Sequence, residues 1–167
     1  MATIDNLVRE FLDQKIFAVV GVSDKRNTGA NTNFKTFKRG GYRVYPVNPR
    51  LSTYDGVPCY PDITSLPEKP DVVFMATSPG VSEQIIQQCL DLEIKRVWMH
   101  CMMGTKPGLS PGSSSVSPSA VDMCRKYGIA VIPGSCPAQF LKADVGHAIM
   151  CKLWRAVGFL KIEEAAQ

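Results

Sequence analysis

The pattern of apolar and polar residues changes period repeatedly along the chain, which predicts alternating helices and strands. Residues 3–14 have apolar positions at the spacing of one helix face; these are Ile4, Leu7, Val8, Phe11 and Leu12. Residues 16–22 then form a continuous apolar run of strand length. A run without polar interruption is typical of a strand that is buried on both faces of a parallel sheet.

The same change of period recurs to the end of the chain. Strands are predicted at 42–49, 71–77, 96–102 and 129–137 (the last with its exit loop), and helices at 30–39, from Ser78-Pro79, from Ser117-Pro118 to Gly128, and at 147–162. The last helix is expected to bury Ile149, Leu153, Trp154 and Val157. This alternation predicts an α/β fold. We expect one domain over residues 1–167, a Rossmann-like doubly wound sheet of about five mainly parallel strands with helices on both faces.

One segment stands apart from this alternation. Residues 104–119 are rich in Gly, Ser and Pro and show no apolar period. Nothing in this segment is expected to bury surface, so the sequence predicts a flexible loop.

Composition and charge narrow the function classes. The 167 residues are 45% hydrophobic and 20% charged, as in ordinary globular proteins. The net charge of +4 comes from scattered Lys and Arg, which argues against nucleic-acid binding. No apolar stretch reaches the roughly 18 residues of a membrane helix. The first residues lack a secretory pattern, so a cytoplasmic location is predicted.

The six cysteines do not point to a metal or a disulfide framework. None forms a C-x-x-C pair, and no histidine falls at zinc-site spacing. Most have apolar neighbours, so reduced and largely buried thiols are expected. No metal site is predicted.

Ligands of doubly wound sheets bind beyond the carboxyl ends of the strands, which directs attention to the loops there. The first of these loops begins at Gly21, where the missing Cβ lets a ligand approach the backbone. Ser23, Lys25, Arg26 and the residues up to Gly29 offer donors and positive charge at the expected start of a helix. A helix N-terminus favours phosphate, although a plain polar connection explains the same residues.

This loop departs from the usual dinucleotide fingerprint. Ser23 stands where G-x-G-x-x-G has its second glycine, and the spacing is longer. The acidic residue that binds ribose hydroxyls about 20 residues further on is absent, because the second strand ends in 47–50, Val-Asn-Pro-Arg. An arginine suits a phosphorylated ribose, since guanidinium matches phosphate geometry. These features disfavour NAD.

Five pieces of the sequence together resemble one known family. They are V-V-G-V-S, G-Y-R-V-Y-P-V-N-P, A-T-S-P, V-W-M-H-C-M-M-G and G-S-C-P, spread over about residues 14–140. The ordered set resembles the CoA-binding protein family, the Rossmann-type domain also found at the N-terminus of succinyl-CoA synthetase alpha subunits. The resemblance implies a cleft that binds coenzyme A or an acyl-CoA.

The family's binding residues carry over by position. The resemblance implies that the CoA phosphates lie against Gly21, Val22, Ser23, Lys25, Arg26 and Gly29. It implies that the adenosine is flanked by Val47, Asn48 and Pro49, with Arg50 near the ribose phosphate. The remaining cleft is implied to be lined by Thr77, Ser78 and Pro79, and the pantetheine arm to be approached by Met103, Gly104, Ser135, Cys136 and Pro137.

The sequence does not indicate catalysis. His100 follows a buried strand, and His147 is predicted at the start of a helix, outside any Ser-His-Asp order. The phosphorylated histidine that the synthetases use comes from domains not contained in these residues. We therefore favour a non-catalytic or regulatory binding module, compatible with a homodimer through the apolar last helix. Two alternatives stay open: an NAD(P)-binding oxidoreductase, and a thiol-redox protein that uses Cys101 and Cys136.

Overall fold

The computed structural model describes residues 4–105, 111–141 and 145–160. The strands, in chain order, are β1 (Ile16–Val20), β2 (Arg43–Val47), β3 (Thr53–Tyr54), β4 (Val57–Pro58), β5 (Val72–Met75), β6 (Arg96–Met99) and β7 (Ala130–Pro133). The helices are α1 (Ile4–Leu12), α2 (Gly29–Arg39), α3 (Pro79–Asp91), α4 (Pro118–Lys126) and α5 (Val145–Ala156). None of these helices combines the length and apolarity that crossing a bilayer requires.

Five strands form one parallel sheet in the order β2-β1-β5-β6-β7, while β3 and β4 form a separate antiparallel hairpin. One core layer joins the sheet to α3 and α4, and the other joins it to α1, α2 and α5. Within β1, Ala18 and Val20 belong to the first layer, and Phe17 and Val19 to the second. This two-sided burial explains the unbroken apolar run. The predicted doubly wound α/β fold is confirmed.

The strand order places a topological switch beside β1. The chain leaves β1 for β2 on one side and later returns to β5 on the other. Parallel strands end at the same edge, so the loops after β1, β2 and β5 adjoin at this carboxyl edge. Pro46 lies in β2, which is the edge strand, where a residue without a backbone N–H costs no inner ladder bond.

The last helix differs from its prediction. Ile149, Leu153 and Val157 are 62%, 51% and 51% exposed, and Trp154 is only partly buried. The buried residue of α5 is Cys151 instead. An apolar stripe shows that a helix has a face to cover, but it does not show that the same chain covers it. Residues 161 and 162, predicted to end this helix, lie outside the described residues.

The segment predicted to be a flexible loop is partly packed. Ser114 forms a bridge with Cys101, and the backbone N–H of Ser115 donates to the carbonyl of His100 at 2.8 Å. Ser117 caps α4 through a bond from the N–H of Ala120. All three serines are buried, so the expectation that this segment buries nothing does not hold for them. Its residues 106–110 lie outside the described residues, and its flexibility stays a prediction.

Candidate functional site

The loop after β1 begins at a glycine that tertiary packing requires. Gly21 has φ +101°, and a Cβ added there would lie 2.4 Å from the carbonyl oxygen of Ala76 at the end of β5. Its N–H donates to the carbonyl of Val47 at the end of β2. The glycine therefore holds the three strand ends of the switch together, and a larger residue would separate them.

Asn31, in the first turn of α2, organises the same loop. Its Oδ1 accepts from the N–H of Ser23 at 2.8 Å and from the Thr28 hydroxyl at 3.0 Å. Its Nδ2 donates to the carbonyls of Ser23 and Arg26 at 2.8 and 3.0 Å. One side chain thus satisfies four polar groups of residues 23–28. The sequence analysis did not identify Asn31, although an Asn two residues after the helix-starting glycine was a usable signal.

The remaining polar groups of this loop are arranged around Ser23. Its Oγ accepts from the N–H groups of Lys25 and Arg26, both at 3.2 Å. Thr28 is the N-cap of α2, where its side chain accepts from the N–H of Asn31. The side chains of Lys25 and Arg26 are exposed. The result is a fixed loop that presents two cations beside a helix N-terminus, an arrangement that favours an anion.

The corner after β2 is tied to this loop by a second asparagine. Asn48 Nδ2 donates to the carbonyl of Val22 at 2.6 Å, and its Oδ1 accepts from the N–H of Arg50 at 2.8 Å. Pro49 and Arg50 are exposed, whereas the side chains of Val22 and Val47 are buried in the core. Asn48 therefore acts as a brace, and the two valines face a ligand only through their backbone.

The loop after β5 carries a set of linked hydroxyls. The N–H of Thr77 donates to Ser115 Oγ at 3.0 Å, and the Thr77 and Ser82 hydroxyls are 3.0 Å apart. Ser78 is the N-cap of α3 but makes no side-chain capping bond, and it is exposed together with Pro79. The Ser78 hydroxyl is thus exposed at the carboxyl edge, while Thr77 belongs to the packing.

His100, at the carboxyl end of β6, closes the floor beneath the start of α2. A Cβ on Gly29 would lie 2.6–2.9 Å from three atoms of the His100 imidazole. The ring is buried and makes an edge contact with Phe74. Burial, with a smaller contribution from the charge of His147 on α5, lowers the pKa of His100 to about 4. The ring is therefore neutral at pH 7, and Gly29 is needed so that helix and ring can touch.

Gly104 lies against Phe159, three residues after the end of α5. A Cβ on Gly104 would lie 2.2 Å from the carbonyl oxygen of Phe159, which also accepts from the N–H of Thr105. The carbonyl of Gly104 accepts from the N–H of Ser135 at 2.8 Å. The close approach that Gly104 allows is thus to the chain itself, and Met103 is partly buried.

The loop after β7 is buried and joined to α2. Asn33 on α2 accepts from the N–H of Ala138 at 3.1 Å, and its Nδ2 donates to the carbonyl of Gly29 at 2.8 Å and contacts Cys136 Sγ at 3.4 Å. Cys136 and Pro137 are buried. All six cysteines are thiols without disulfides, and all are buried.

This same loop contains polar atoms without partners. Ser135 has φ +65°, an uncommon value for a residue other than glycine, and its Oγ is buried with no hydrogen bond. The side-chain Nε2 and Oε1 of Gln139 are also buried and unbonded. Such orphan groups are rare in folded proteins. Gln139 was missed by the sequence analysis, because nothing in the sequence indicates that it is buried.

Two shallow surface grooves lie at the opposite edge of the sheet. Their volumes are about 360 and 240 Å³, and both include Glu93 and Lys95. Neither is lined by any residue predicted for the site. The switch point and the anion-compatible loop both lie at the carboxyl edge, so we assign the candidate site to that edge.

A Rossmann-like sheet with an anion-compatible loop at its switch point defines the class of this protein. Within that class, a family model described as a CoA binding domain matches residues 15–141. The chain belongs to this CoA-binding domain family, which confirms the resemblance seen in the five sequence pieces.

The curated relatives are much longer proteins. The chain is 22% identical over 122 residues to the ADP-forming acetate–CoA ligase I of Archaeoglobus fulgidus, which covers 73% of this chain and 18% of the ligase. It is 27% identical over 95 residues to ligase II of the same organism, covering 56% of this chain and 14% of the ligase. The chain thus spans less than a fifth of the length of these relatives.

Solved structures share the fold. A hypothetical protein from Pyrococcus horikoshii OT3 is 26% identical with a TM-score of 0.71, covering 84% of this chain and 93% of that one. The apo dinucleotide-forming acetyl-coenzyme A synthetase 1 of Ca. Korarchaeum cryptofilum is 22% identical with a TM-score of 0.56, covering 69% of this chain and 25% of that one.

Proposed function

We propose that this domain binds coenzyme A or an acyl-CoA along its carboxyl edge and does not itself catalyse a reaction. The observation that carries the proposal is the loop of residues 21–31, which Asn31 holds in one shape with Lys25 and Arg26 exposed beside a helix start. A loop that is fixed before binding loses less conformational entropy when a phosphate arrives. Membership of the CoA-binding domain family supports CoA as the ligand.

The corner after β2 supports CoA over NAD. Asn48 braces the corner to Val22, and Arg50 is exposed one residue after Pro49. A guanidinium at this position suits the 3′-phosphate of CoA, whereas NAD has a free ribose that calls for an acidic residue. We propose that Arg50 binds this phosphate. NADP carries a phosphorylated ribose as well, so it is the necessary comparison.

We base the proposed absence of catalysis on the burial and the lowered pKa of His100. Its imidazole is buried against Gly29 and Phe74, and its pKa is lowered to about 4 by burial. A general base works best with a pKa near the operating pH and within reach of substrate. His100 is buried and its pKa is well below neutral pH, so we propose that its role is packing beneath the site. The thiol-redox alternative gains no support, because Cys101 and Cys136 are both buried.

Calorimetry with four ligands tests the proposed function. CoA, dephospho-CoA, NAD and NADP would be titrated into the protein and into Arg50→Ala. We expect CoA to bind best, and Arg50→Ala to weaken CoA about tenfold while changing dephospho-CoA less than about twofold, since a charged hydrogen bond contributes roughly 1.5 kcal/mol or more. The control is Arg39→Ala, at the end of α2 on the opposite edge. Binding of NADP but not CoA would reject the proposal.

We also propose that two copies associate through α5. Val145, Ile149, Leu153 and Val157 recur every four residues and are 77%, 62%, 51% and 51% exposed. An antiparallel pair centred on Cys151 places Val145 opposite Val157 and Ile149 opposite Leu153, so the ridge is complementary to itself. Light scattering should give twice the chain mass, and Ile149→Lys should halve it. Gln84→Lys on exposed α3 is the control. A wild-type monomer at high concentration would contradict the pairing.

The proposed location is the cytoplasm. Six buried thiols without a disulfide are consistent with a reducing compartment. Fractionation of cells that express the tagged full-length protein would test this, and recovery in a secreted fraction would contradict it.

A further inference from the structure

The loop after β7 carries polar atoms that the protein itself leaves without partners. Ser135 Oγ and both side-chain atoms of Gln139 are buried and make no hydrogen bond. Leaving such a group unsatisfied costs about 1–3 kcal/mol. Three atoms from two residues only four positions apart concentrate this cost in one short segment.

Backbone conformation adds a second cost at the same place. Ser135 has φ +65°, which a side chain with Cβ rarely adopts. The conformation is held by its N–H, which donates to Gly104, and by its carbonyl, which accepts from Cys101. Non-glycine residues in this region concentrate at ligand sites, where the surroundings hold them in place. A glycine would meet the backbone requirement more easily, so what the serine adds is a CH2OH group, and its hydroxyl has no partner among the described residues.

The position of the loop connects it to the proposed phosphate site. Asn33 joins the loop to α2, because it accepts from Ala138 and donates to the carbonyl of Gly29. Gly29 begins α2, beside the loop proposed to hold the CoA phosphates, and Asn33 lies one helical turn further, about 6 Å along the axis. The orphan atoms therefore lie in the same part of the fold as the proposed phosphate loop, in a segment that Asn33 joins to the start of α2.

The described side chains of this loop that carry or adjoin the orphan atoms are uncharged. Asn33, Ser135, Cys136 and Gln139 carry no charge, and buried His100 is neutral at pH 7. A carboxylate brought here would be buried without a cation, and a long alkyl chain would leave the orphan atoms unpaired; both are unfavourable. An uncharged carbonyl or hydroxyl has the complementary chemistry, since an amide and a hydroxyl can both donate to it.

We infer that Ser135 and Gln139 form a subsite for the thioester end of a short, uncharged acyl-CoA, with hydrogen bonds to the acyl carbonyl. This inference rests on the proposed function and names its ligand class. Free CoA ends in a thiol, which is a weak hydrogen-bonding group, so it leaves the subsite largely unused. The acyl form is therefore the preferred ligand.

Substitution of Gln139 tests the subsite. Gln139→Met keeps the length of the side chain and removes both hydrogen-bonding atoms, and Gln87→Met on α3 is the matched control. Acetyl-CoA, malonyl-CoA, CoA and 3′,5′-ADP, which lacks the pantetheine arm, are the probes. Wild type is expected to bind acetyl-CoA at least tenfold more tightly than malonyl-CoA. Gln139→Met should weaken acetyl-CoA at least tenfold, leave 3′,5′-ADP within twofold, and raise the melting temperature of the ligand-free protein.

The failures of the two proposals are distinguishable. If wild type binds neither CoA nor 3′,5′-ADP, the proposed function fails. If both bind but Gln139→Met leaves acetyl-CoA unchanged, or weakens 3′,5′-ADP equally, the subsite is rejected and the orphan atoms are solvated by water. Should Gln139→Met fail to fold, Ser135→Gly replaces it, because it removes the hydroxyl while relieving the backbone. The same selective loss of acetyl-CoA is then expected, and unchanged binding rejects the subsite.

Discussion

The loops after β1 and β7, both at the carboxyl edge, differ in whether their polar groups have hydrogen-bond partners. In the loop after β1, Asn31 bonds to backbone groups of Ser23 and Arg26, and the Thr28 hydroxyl donates to the carbonyl of Gly21. The side chains of Lys25 and Arg26 are exposed. In the loop after β7, Ser135 and Gln139 are buried with polar atoms that have no partner. The first loop holds its shape through its own hydrogen bonds, whereas the second buries polar atoms for which the described residues supply no partner.

The difference follows from what each loop is proposed to bind. A phosphate is large and charged, and it is recognised by exposed donors that a rigid loop holds in place. An uncharged group that enters a buried floor must meet donors already removed from water, which leaves them unsatisfied beforehand. Both arrangements prepare the protein for binding. The loop after β1 is held in shape before a ligand arrives, and the loop after β7 keeps buried polar atoms available to a ligand. Four substitutions test this contrast.

The largest effect is expected at Gly21, where the loop after β1 begins. Gly21→Ala should lower the free energy of unfolding by about 4 kcal/mol, because a left-handed φ and a Cβ 2.4 Å from Ala76 O act together. Gly41→Ala is the matched control, since Gly41 has φ +86° with nothing within 4 Å. It should cost only about 1–2 kcal/mol. Urea unfolding measures both, and equal losses would show that packing at the strand ends is not tight.

His100 lies beneath the start of α2, and its response to pH is the next largest effect. Its pKa of about 4 when folded is below the unfolded value of about 6.5. Between these values only the unfolded chain binds the proton, so stability falls as pH drops from 6.5 to 4, by on the order of 3 kcal/mol.

His100→Asn should remove this part of the pH dependence. Urea unfolding of both proteins at intervals between pH 7 and 4 isolates it, because the acidic side chains are common to both. If the free energy of unfolding changes with pH in the same way for wild type and His100→Asn, the ring titrates normally and is not buried beneath Gly29.

Removing the organiser of the first loop should have a smaller effect on stability and a clear effect on binding. Asn31→Ala loses four hydrogen bonds, but solvent replaces some of them in a half-exposed loop, so a loss of about 2 kcal/mol is expected. CoA should bind at least tenfold more weakly, as the phosphate loop loses its shape. Asn27→Ala, exposed in the same loop, is the control. Calorimetry with unchanged CoA affinity in Asn31→Ala would contradict preorganisation.

The smallest effect is expected in the loop after β7, and there the substitution should stabilise the protein. Ser135→Gly should raise the free energy of unfolding of the ligand-free protein by about 1 kcal/mol, since it removes an unpaired hydroxyl and a left-handed φ at a residue with Cβ. Thermal unfolding without ligand measures it. A loss of stability would show that the hydroxyl already has a partner, such as a bound water, and that the two loops do not differ as described.

The sequence predicted the parts of the fold that depend on local pattern. Apolar runs of strand length predicted the five sheet strands. The run is unbroken in β1 and β5, which are buried on both faces, whereas β2 begins at exposed Arg43. The apolar stripe of α5 was seen as well, but its burial was misjudged, since burial depends on which partner is present.

The residues of the candidate site also differ in whether local sequence features indicated them. Gly21 and the cations after it were recognisable because a glycine at a strand end and a charged loop before a helix are local features. Asn33 and Gln139 were not recognised, because their roles depend on groups brought near by folding; Asn33, for example, contacts residues more than 100 positions away. Asn31 was missed although its partners lie within eight residues of it, so a local signal was present there.

The amino-acid sequence by itself determined the alternation of helices and strands, the parallel sheet and the family, since these follow from periodicity and from contiguous motifs. Only the tertiary structure decided which polar groups are satisfied at the carboxyl edge. Whether a buried donor such as that of Gln139 has a partner depends on distances between segments far apart in the chain, and no local pattern encodes those distances.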